Sequence, residues 1–390
     1  MFNQNQIKLT IISFFSYFIT GSLIIVTGIV MNNIAENFKV SLIEISHSFT
    51  CLNFGILIAL LLSTYIRQYI ILKHQIYLGF ILIIIAILGL IFGYNLIFFS
   101  ISMFIFGIVS GVIMSIGTTL ITFLYQGTIR ASLLLITDSF FSLAGISLPL
   151  ISSLIIIHNK PWYWIYIFIS IIYFVICLIS INTVFPTIYT LHHKQKKSSL
   201  NNNVKISILL LSISATCYIL GQLEFIAWVP EYIIQKIHSD IYQSSQLISN
   251  FWMAYMIGMW IFSFILKMFD IHKLLLILTS ISTVLMYLFL HGNNLQEFRW
   301  LIFLLGFFSS AIYTIIITLA SLQTYKPSPC IINLILISGT LGTLLTFIIS
   351  SFIVEKKGIY EALLTSNILY TIVFTLSILL HFFTEHKKNI

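Results

Sequence analysis

The chain has 390 residues, 59% of them hydrophobic and only 8% charged, with a mean hydropathy of +1.06. Soluble domains carry about 25% charged residues, so this chain cannot cover a water-facing surface, and lipid is the solvent for most of it. The net charge of +8 comes from Lys and Arg in short loops between apolar runs, a pattern that sets membrane orientation and excludes a nucleic-acid binder.

Apolar runs of about 18 to 25 residues predict twelve spans, near 9–31, 45–66, 75–94, 96–125, 132–157, 162–184, 206–229, 245–267, 273–291, 299–324, 331–354 and 360–383. The first run is too long for the apolar region of a signal peptide and lacks a small-residue cleavage pattern, so it reads as a membrane helix. Between spans six and seven lies TLHHKQKKSSLNNNVK, Thr190 to Lys205, basic and then rich in Ser and Asn. It reads as a connector. The expected domains are therefore 1–186, a cytoplasmic linker at 187–205, and 206–390. His192 and His193 sit side by side in that basic linker and are not read as metal ligands. No metal and no cofactor is expected. Cys51, Cys177, Cys217 and Cys330 lie in apolar runs without a C-x-x-C pair and read as small packing residues.

Placing the N-terminus inside puts Lys8, Arg67, Lys73, Arg130 and the basic linker on the cytoplasmic side, and Glu36, Glu44, Glu231 and Glu297 outside. Both termini then face the cytoplasm. The halves also match. FIFGIVSGVIMSIGTTL, from Phe104, aligns with FLLGFFSSAIYTIIITL, from Phe303, pairing Gly107 with Gly306 and Ser110 with Ser309. NFGIL at Asn53 is set against NFWMA at Asn250, and ITGSL at Ile19 against ILGQL at Ile219. Three matches in one order predict two parallel six-helix halves.

A charge at the centre of a membrane helix costs about 3 kcal/mol on insertion scales, so Asp138 in span five needs a reason. Asp138, Ser142, Gly145, Pro149 and Ser152 fall on one helical face, small and polar between apolar flanks. One reading has Asp138 binding a proton, a cation or a solute hydroxyl. The other is structural: an acid near the helix start, favoured by the dipole and paired with a basic loop residue. Glu224 lies in span seven, shortly before Pro230. Gln222 and Glu224 are about 200° apart on a regular helix, at ~100° per residue, and share a cavity only if the helix unwinds before the proline. Span one carries a stripe of Thr10, Ser13, Tyr17, Thr20 and Thr27; span ten carries Ser310, Thr314, Thr318, Ser321 and Tyr325. Asn53, Asn250 and Asn333 are amides in apolar runs and need partners in lipid. Each of these serves either as a solute contact or as helix–helix glue. Trp252 and Trp260 either stack a sugar ring or pack in lipid and core. Gly107, Gly111 and Gly117 predict close helix approach in span four.

Four runs carry a family resemblance: SYFITGSLIIVTGIVMNNIAENF, GQLEFIAWVPEY, SNFWMAYMIGMWIFSFIL and LGFFSSAIYTIIITLASLQT. On these the chain resembles the TsgA proteins, a branch of the major facilitator superfamily close to the fucose/proton symporter group, nearly end to end. The resemblance implies a bacterial inner-membrane protein of two six-helix bundles, and no particular substrate. Span five is similar to the symporter pattern at Arg130, Leu135, Phe140, Ser142 and Pro149, with Asp138 where the wider group shows an amide. Two departures follow. The symporter group has coupling carboxylates in spans one and four, where this chain offers Tyr17, Thr20 and Thr27, and Ser110, Ser115, Thr118 and Thr122. Glu224 stands where related proteins carry a small residue.

The expected fold is therefore an all-α membrane protein with the major facilitator fold, about twelve transmembrane helices in two pseudo-symmetric bundles. The expected function is secondary active or facilitative transport of a small neutral polar solute by alternating access, through a central cavity lined mainly by spans one, four, seven and ten. Expected solute contacts are Tyr17, Thr20, Asn53, Thr118, Ser142, Gln222, Asn250, Trp252, Thr314 and Asn333; Asp138 and Glu224 are the groups expected to couple a proton or ion. The expected partners are the solute, the bilayer and, where coupling operates, a proton; the protein is expected to be a monomer. The competing reading is a non-transporting scaffold or an integral-membrane enzyme. Short loops with scattered ionisable residues, and no phosphate loop or nucleophile–base set, count against an enzyme.

Overall fold

The computed structural model describes residues 3–40, 42–93, 95–158, 160–186, 202–239, 241–324 and 328–388. Most of the expected linker, His192 and His193 included, lies outside the described residues, as does Tyr325; so do the side chains of Thr27 and Pro149. Every regular element among the described residues is an α-helix. This follows from the composition, because in lipid each backbone N–H and C=O must be satisfied within its own segment. The first half holds α1 (Gln4–Phe38), α2 (Leu42–Tyr69), α3 (Leu72–Phe92), α4 (Leu96–Leu124), α5 (Gly127–Ile157) and α6 (Trp164–Ile181). The second holds α7 (Asn202–Ile237), α8 (Ile241–Ile265), α9 (Ile271–His291), α10 (Leu295–Ser309), α11 (Ile312–Ser321), α12 (Pro329–Lys357) and α13 (Ile359–Lys388). Among the described residues 11 segments are long and apolar enough to cross a membrane, α10 and α11 counting as one; α2 adds a shorter apolar stretch, Ser48–Ser63. The expected span two is thus a helix whose described apolar stretch is shorter than the others.

Several helix boundaries repeat between the halves at an offset of 199 residues. It relates the ends Phe38 and Ile237, the starts Leu42 and Ile241, the whole of α3 and α9, and the starts Leu96 and Leu295. The stop signals repeat too. Lys39 (φ 54°) and His238 (φ 52°) are the two non-glycine residues at positive φ among those described, each just past its helix. Asn95 caps α4 by accepting from Phe98 N at 3.2 Å, and Asn294 caps α10 by accepting from Glu297 N at 3.0 Å.

This register corrects two of the three sequence matches. The Phe104/Phe303 match has the right offset. The NFGIL/NFWMA match is out by two, so Asn53 corresponds to Trp252 and not to Asn250; ITGSL/ILGQL is out by one at its helix end. Short apolar words recur by chance, whereas contacts fix register. A Cβ on Gly107 would collide with the Leu52 carbonyl, and one on Gly306 would sit 2.5 Å from the Phe251 carbonyl. Leu52 and Phe251 are again 199 apart. One turn on, Gly111 lies against Ala59, while in the second half Ser310 lies against Gly258. The small residue has changed helix, and the close approach is kept.

The chain separates into two compact units: Met1–Gln126 with Phe140–Ser198, and Gly127–Ser139 with Ser199–Ile390. The first thirteen residues of α5 therefore group with the second unit. In the first unit α4 is the hub, packing on α1, α2 and α3, with Phe106 stacked on Tyr166 at 5.1 Å between centroids. In the second, α7 packs on α12 and α13, and α8 on α10; Phe225 of α7 meets Phe289 of α9 edge-on at 4.9 Å.

Candidate functional site

The span-one stripe faces α4. Ser13 Oγ donates to the Gly117 carbonyl at 2.6 Å, Tyr17 OH and Thr118 Oγ1 are 2.6 Å apart, and Thr20 Oγ1 reaches the Ser110 carbonyl at 3.3 Å. Thr10 closes the row on Tyr125 at 2.8 Å. The spacing on α1 that defined the stripe is thus used along one neighbour, and Tyr17, Thr20 and Thr118 are all buried. Two of the expected solute contacts, Tyr17 and Thr118, meet each other. Ser142 on α5 is buried and its Oγ has no hydrogen-bond partner. Asn53 is half-buried on α2.

In the second unit the acid of span five meets the stripe of span ten. Thr314 Oγ1 on α11 donates to Asp138 Oδ2 at 2.6 Å. Asp138 is half-buried, and Tyr255 of α8 lies near enough to feel its charge. Tyr255 OH is 3.4 Å from Tyr218 OH, and Gln222, one turn past Tyr218 on α7, lies beside Tyr255 with its Nε2 unbonded. Tyr218 OH donates to the Ser309 carbonyl at 2.7 Å, and its ring packs on Tyr370 at 5.5 Å. The expected contacts Gln222 and Thr314 therefore belong to one polar cluster with Asp138. Three tyrosines complete it, which the sequence alone did not single out; 19 tyrosines in an aromatic-rich chain hide them, although Tyr218 and Gln222 stand one helical turn apart. Arg130, the basic residue at the start of α5, donates to the Ser321 hydroxyl at 3.2 Å and its carbonyl at 3.4 Å.

The remaining residues lie elsewhere. Trp252, half-buried, packs edge-on to Phe251 and Tyr255. Trp260 is exposed over nearly half its surface and donates from Nε1 to Ser139 Oγ at 2.8 Å. Asn250 is half-buried and Asn333 buried. α7 runs unbroken through Pro230, so the unwinding that would have let Gln222 and Glu224 face one cavity does not occur. Gln222 turns to α8, while fully buried Glu224 turns to α13, where Ser366 Oγ donates to its Oε2 at 3.3 Å. The three-to-four-residue turn decides this: two residues apart on a helix are nearly opposite.

Long apolar helices whose boundaries in part repeat between the halves are a feature shared with known transporters. The Major Facilitator Superfamily family model matches residues 9–328. The chain belongs to the major facilitator superfamily, in its TsgA branch. A TsgA homolog of Buchnera aphidicola subsp. Schizaphis graminum is 53% identical over 100% of this chain and 99% of its own. Another, of Yersinia enterocolitica, is 48% identical over 100% of this chain and 99% of its own. Among solved structures, the superfamily transporter FucP in its outward conformation matches with a TM-score of 0.79 at 15% identity, covering 97% of this chain and 99% of that one. At that identity the likeness concerns the fold. The protein is thus a multi-pass membrane member of a transporter superfamily.

Proposed function

We propose that this TsgA-branch protein carries a small polar solute of no net charge across a bacterial inner membrane by alternating access, as a monomer with both termini in the cytoplasm, and that it is not an enzyme. The observation that carries the reading is the Asp138–Thr314 pair with Tyr255, Tyr218 and Gln222 around it. A carboxylate inside an apolar helix is costly and marks solute or proton paths. Here it has a hydroxyl donor and stands among phenols and an amide, the groups that exchange hydrogen bonds with a polyol or sugar. Tyr17 and Thr118 offer a second hydroxyl pair in the first unit; Thr20, Asn53, Ser142, Asn250, Trp252 and Asn333 are further contacts to be tested.

The FucP neighbours include one described as a fucose:proton symporter. Sugars are therefore sensible probes, but no acid lies between Lys8 and Asn33 of α1 or anywhere in α4. Proton coupling, where it operates, runs through Asp138. Glu224 faces α13 and has the weaker claim. A thermal-shift screen of the purified protein against sugars, amino acids and common drugs tests the reading. A neutral polar compound that stabilises the wild type and not Asp138→Asn supports it; stabilisation by no class of solute, or equally in both proteins, contradicts it.

A further inference from the structure

Arg67 near the end of α2 reads in the sequence as an orientation charge for the cytoplasmic face. The structure buries it: 7% of its surface is exposed. Its Nη2 donates to Ser115 Oγ of α4, and its Nε and Nη1 have no hydrogen-bond partner. The seam explains how it came to be covered. Leu52, Ile56, Ala59 and Arg67 climb α2 against Gly107, Gly111 and Ser115 of α4, and Arg67 closes that row.

Among the described residues of its own unit the charge has no counter-ion. Asp and Glu in that unit are Glu36 and Glu44 alone. Glu44 opens α2, 23 residues before Arg67, so it lies about 35 Å away along the helix at ~1.5 Å per residue. Glu36 stands beside that same far end, where α1 turns into α2. The nearby hydroxyls do not help. Ser63 Oγ donates to the Leu60 carbonyl at 2.7 Å and Thr119 Oγ1 to the Ser115 carbonyl at 2.6 Å. An acid so placed could take up a proton and become neutral, but a guanidinium does not lose its proton in proteins. A buried permanent charge without a partner is strongly unfavourable, while the planar guanidinium keeps unused hydrogens on Nε and Nη1, and the second hydrogen of Nη2 lies beside one of them, so one edge of the plane still offers a pair of donors to the oxygens of a carboxylate or phosphate.

We propose that Arg67 and Ser115 form an anion-recognition point in the first unit, taking the oxyanion group of a small carboxylate or phosphate, or of an acidic lipid headgroup. The inference does not depend on transport, since it concerns binding to the resting protein.

The test uses the full-length protein in uncharged detergent, titrated with sodium acetate and with inorganic phosphate against sodium chloride at matched ionic strength, reading the thermal midpoint. A second arm compares nanodiscs of phosphatidylcholine alone with nanodiscs containing phosphatidylglycerol. The proposal expects a saturable rise with acetate or phosphate (a free anion), or a rise confined to the phosphatidylglycerol discs (a headgroup). Arg67→Gln should abolish the rise, and Arg67→Lys should weaken the apparent affinity about tenfold, because it keeps the charge but loses the fork. Should Arg67→Gln fail to fold, Arg67→Lys and Ser115→Ala carry the comparison, each expected to shift the titration to higher anion concentration. No saturable response in either arm, or the same response in wild type and variants, overturns the proposal.

Discussion

Ser115 of α4 and Thr314 of α11 occupy the same place in the internal repeat, 199 residues apart, and each hydroxyl is bonded to an ionisable side chain. In the first unit that side chain is Arg67, which donates to Ser115; in the second it is Asp138, which accepts from Thr314. The repeat thus preserves a hydroxyl that holds a charge, and the sign of the charge differs between the units. The packing around it is conserved much more closely. The α2–α4 and α8–α10 seams use the same close approaches, at Gly107 on Leu52 and Gly306 on Phe251. Backbone contact tolerates no side chain and so fixes geometry, whereas a polar position one or two turns away is free to change its chemistry.

A second difference concerns continuity. α4 is one helix, whereas its counterpart is split into α10 and α11 at Ser310 and Ala311. The Ser309 carbonyl, which would accept from Tyr313 N in an unbroken helix, takes the Tyr218 hydroxyl at 2.7 Å. The Ser110 carbonyl, inside the unbroken α4, takes a side-chain bond from Thr20 at 3.3 Å, and Thr20 also donates to the Ser16 carbonyl at 3.0 Å. Residue 19, which corresponds to Tyr218 at the 199-residue offset, is Ile and carries no hydroxyl. A strong side-chain donor that captures a helix carbonyl is a known cause of a break.

The comparison can be broken most forcefully at the seams. Gly107→Leu and Gly306→Leu should each cost about 3 kcal/mol or more, since the new side chain meets backbone and not a movable side chain. Melting of the purified variants should fall by similar amounts; a large effect in one unit alone would mean that the seams are not equivalent. Next come the hydroxyls. Thr314→Val removes a charge-assisted bond and should cost about 2 kcal/mol, and combined with Asp138→Asn the loss should be less than additive, the sign of a direct pair. Full additivity in that double-mutant cycle would contradict the contact. Tyr218→Phe should cost about 1 kcal/mol and slow amide exchange at Tyr313 as its bond to Ser309 forms; unchanged exchange would assign the break to another cause. The smallest effect is expected at Trp260→Phe, where a half-exposed donor loses its bond to Ser139, for a change of about 0.5 kcal/mol in melting stability.

Much of the fold was legible in the sequence because hydropathy over long windows reports the solvent directly, and the longest repeat match gave the correct offset. The shorter words did not, because Ile, Phe and Asn are common enough in this chain to coincide. The polar stripes of spans one and ten were read from spacing and do mark shared faces, since Tyr17 with Thr118 and Thr314 with Asp138 are brought together. What spacing could not supply was the neighbour. The three clustered tyrosines, the turn of Glu224 toward α13 and the burial of Arg67 all depend on which helix lies opposite, and a lone basic residue near a helix end looks the same in sequence whether it faces water or a seam.

The most direct measurement is uptake into proteoliposomes of the solute that best stabilises the protein, for wild type and Asp138→Asn, across pH. The account predicts saturable uptake by the wild type that Asp138→Asn diminishes at least tenfold or frees of its pH dependence. Equal uptake by both proteins at every pH would contradict the role given to Asp138, and no uptake of any stabilising solute would contradict transport itself.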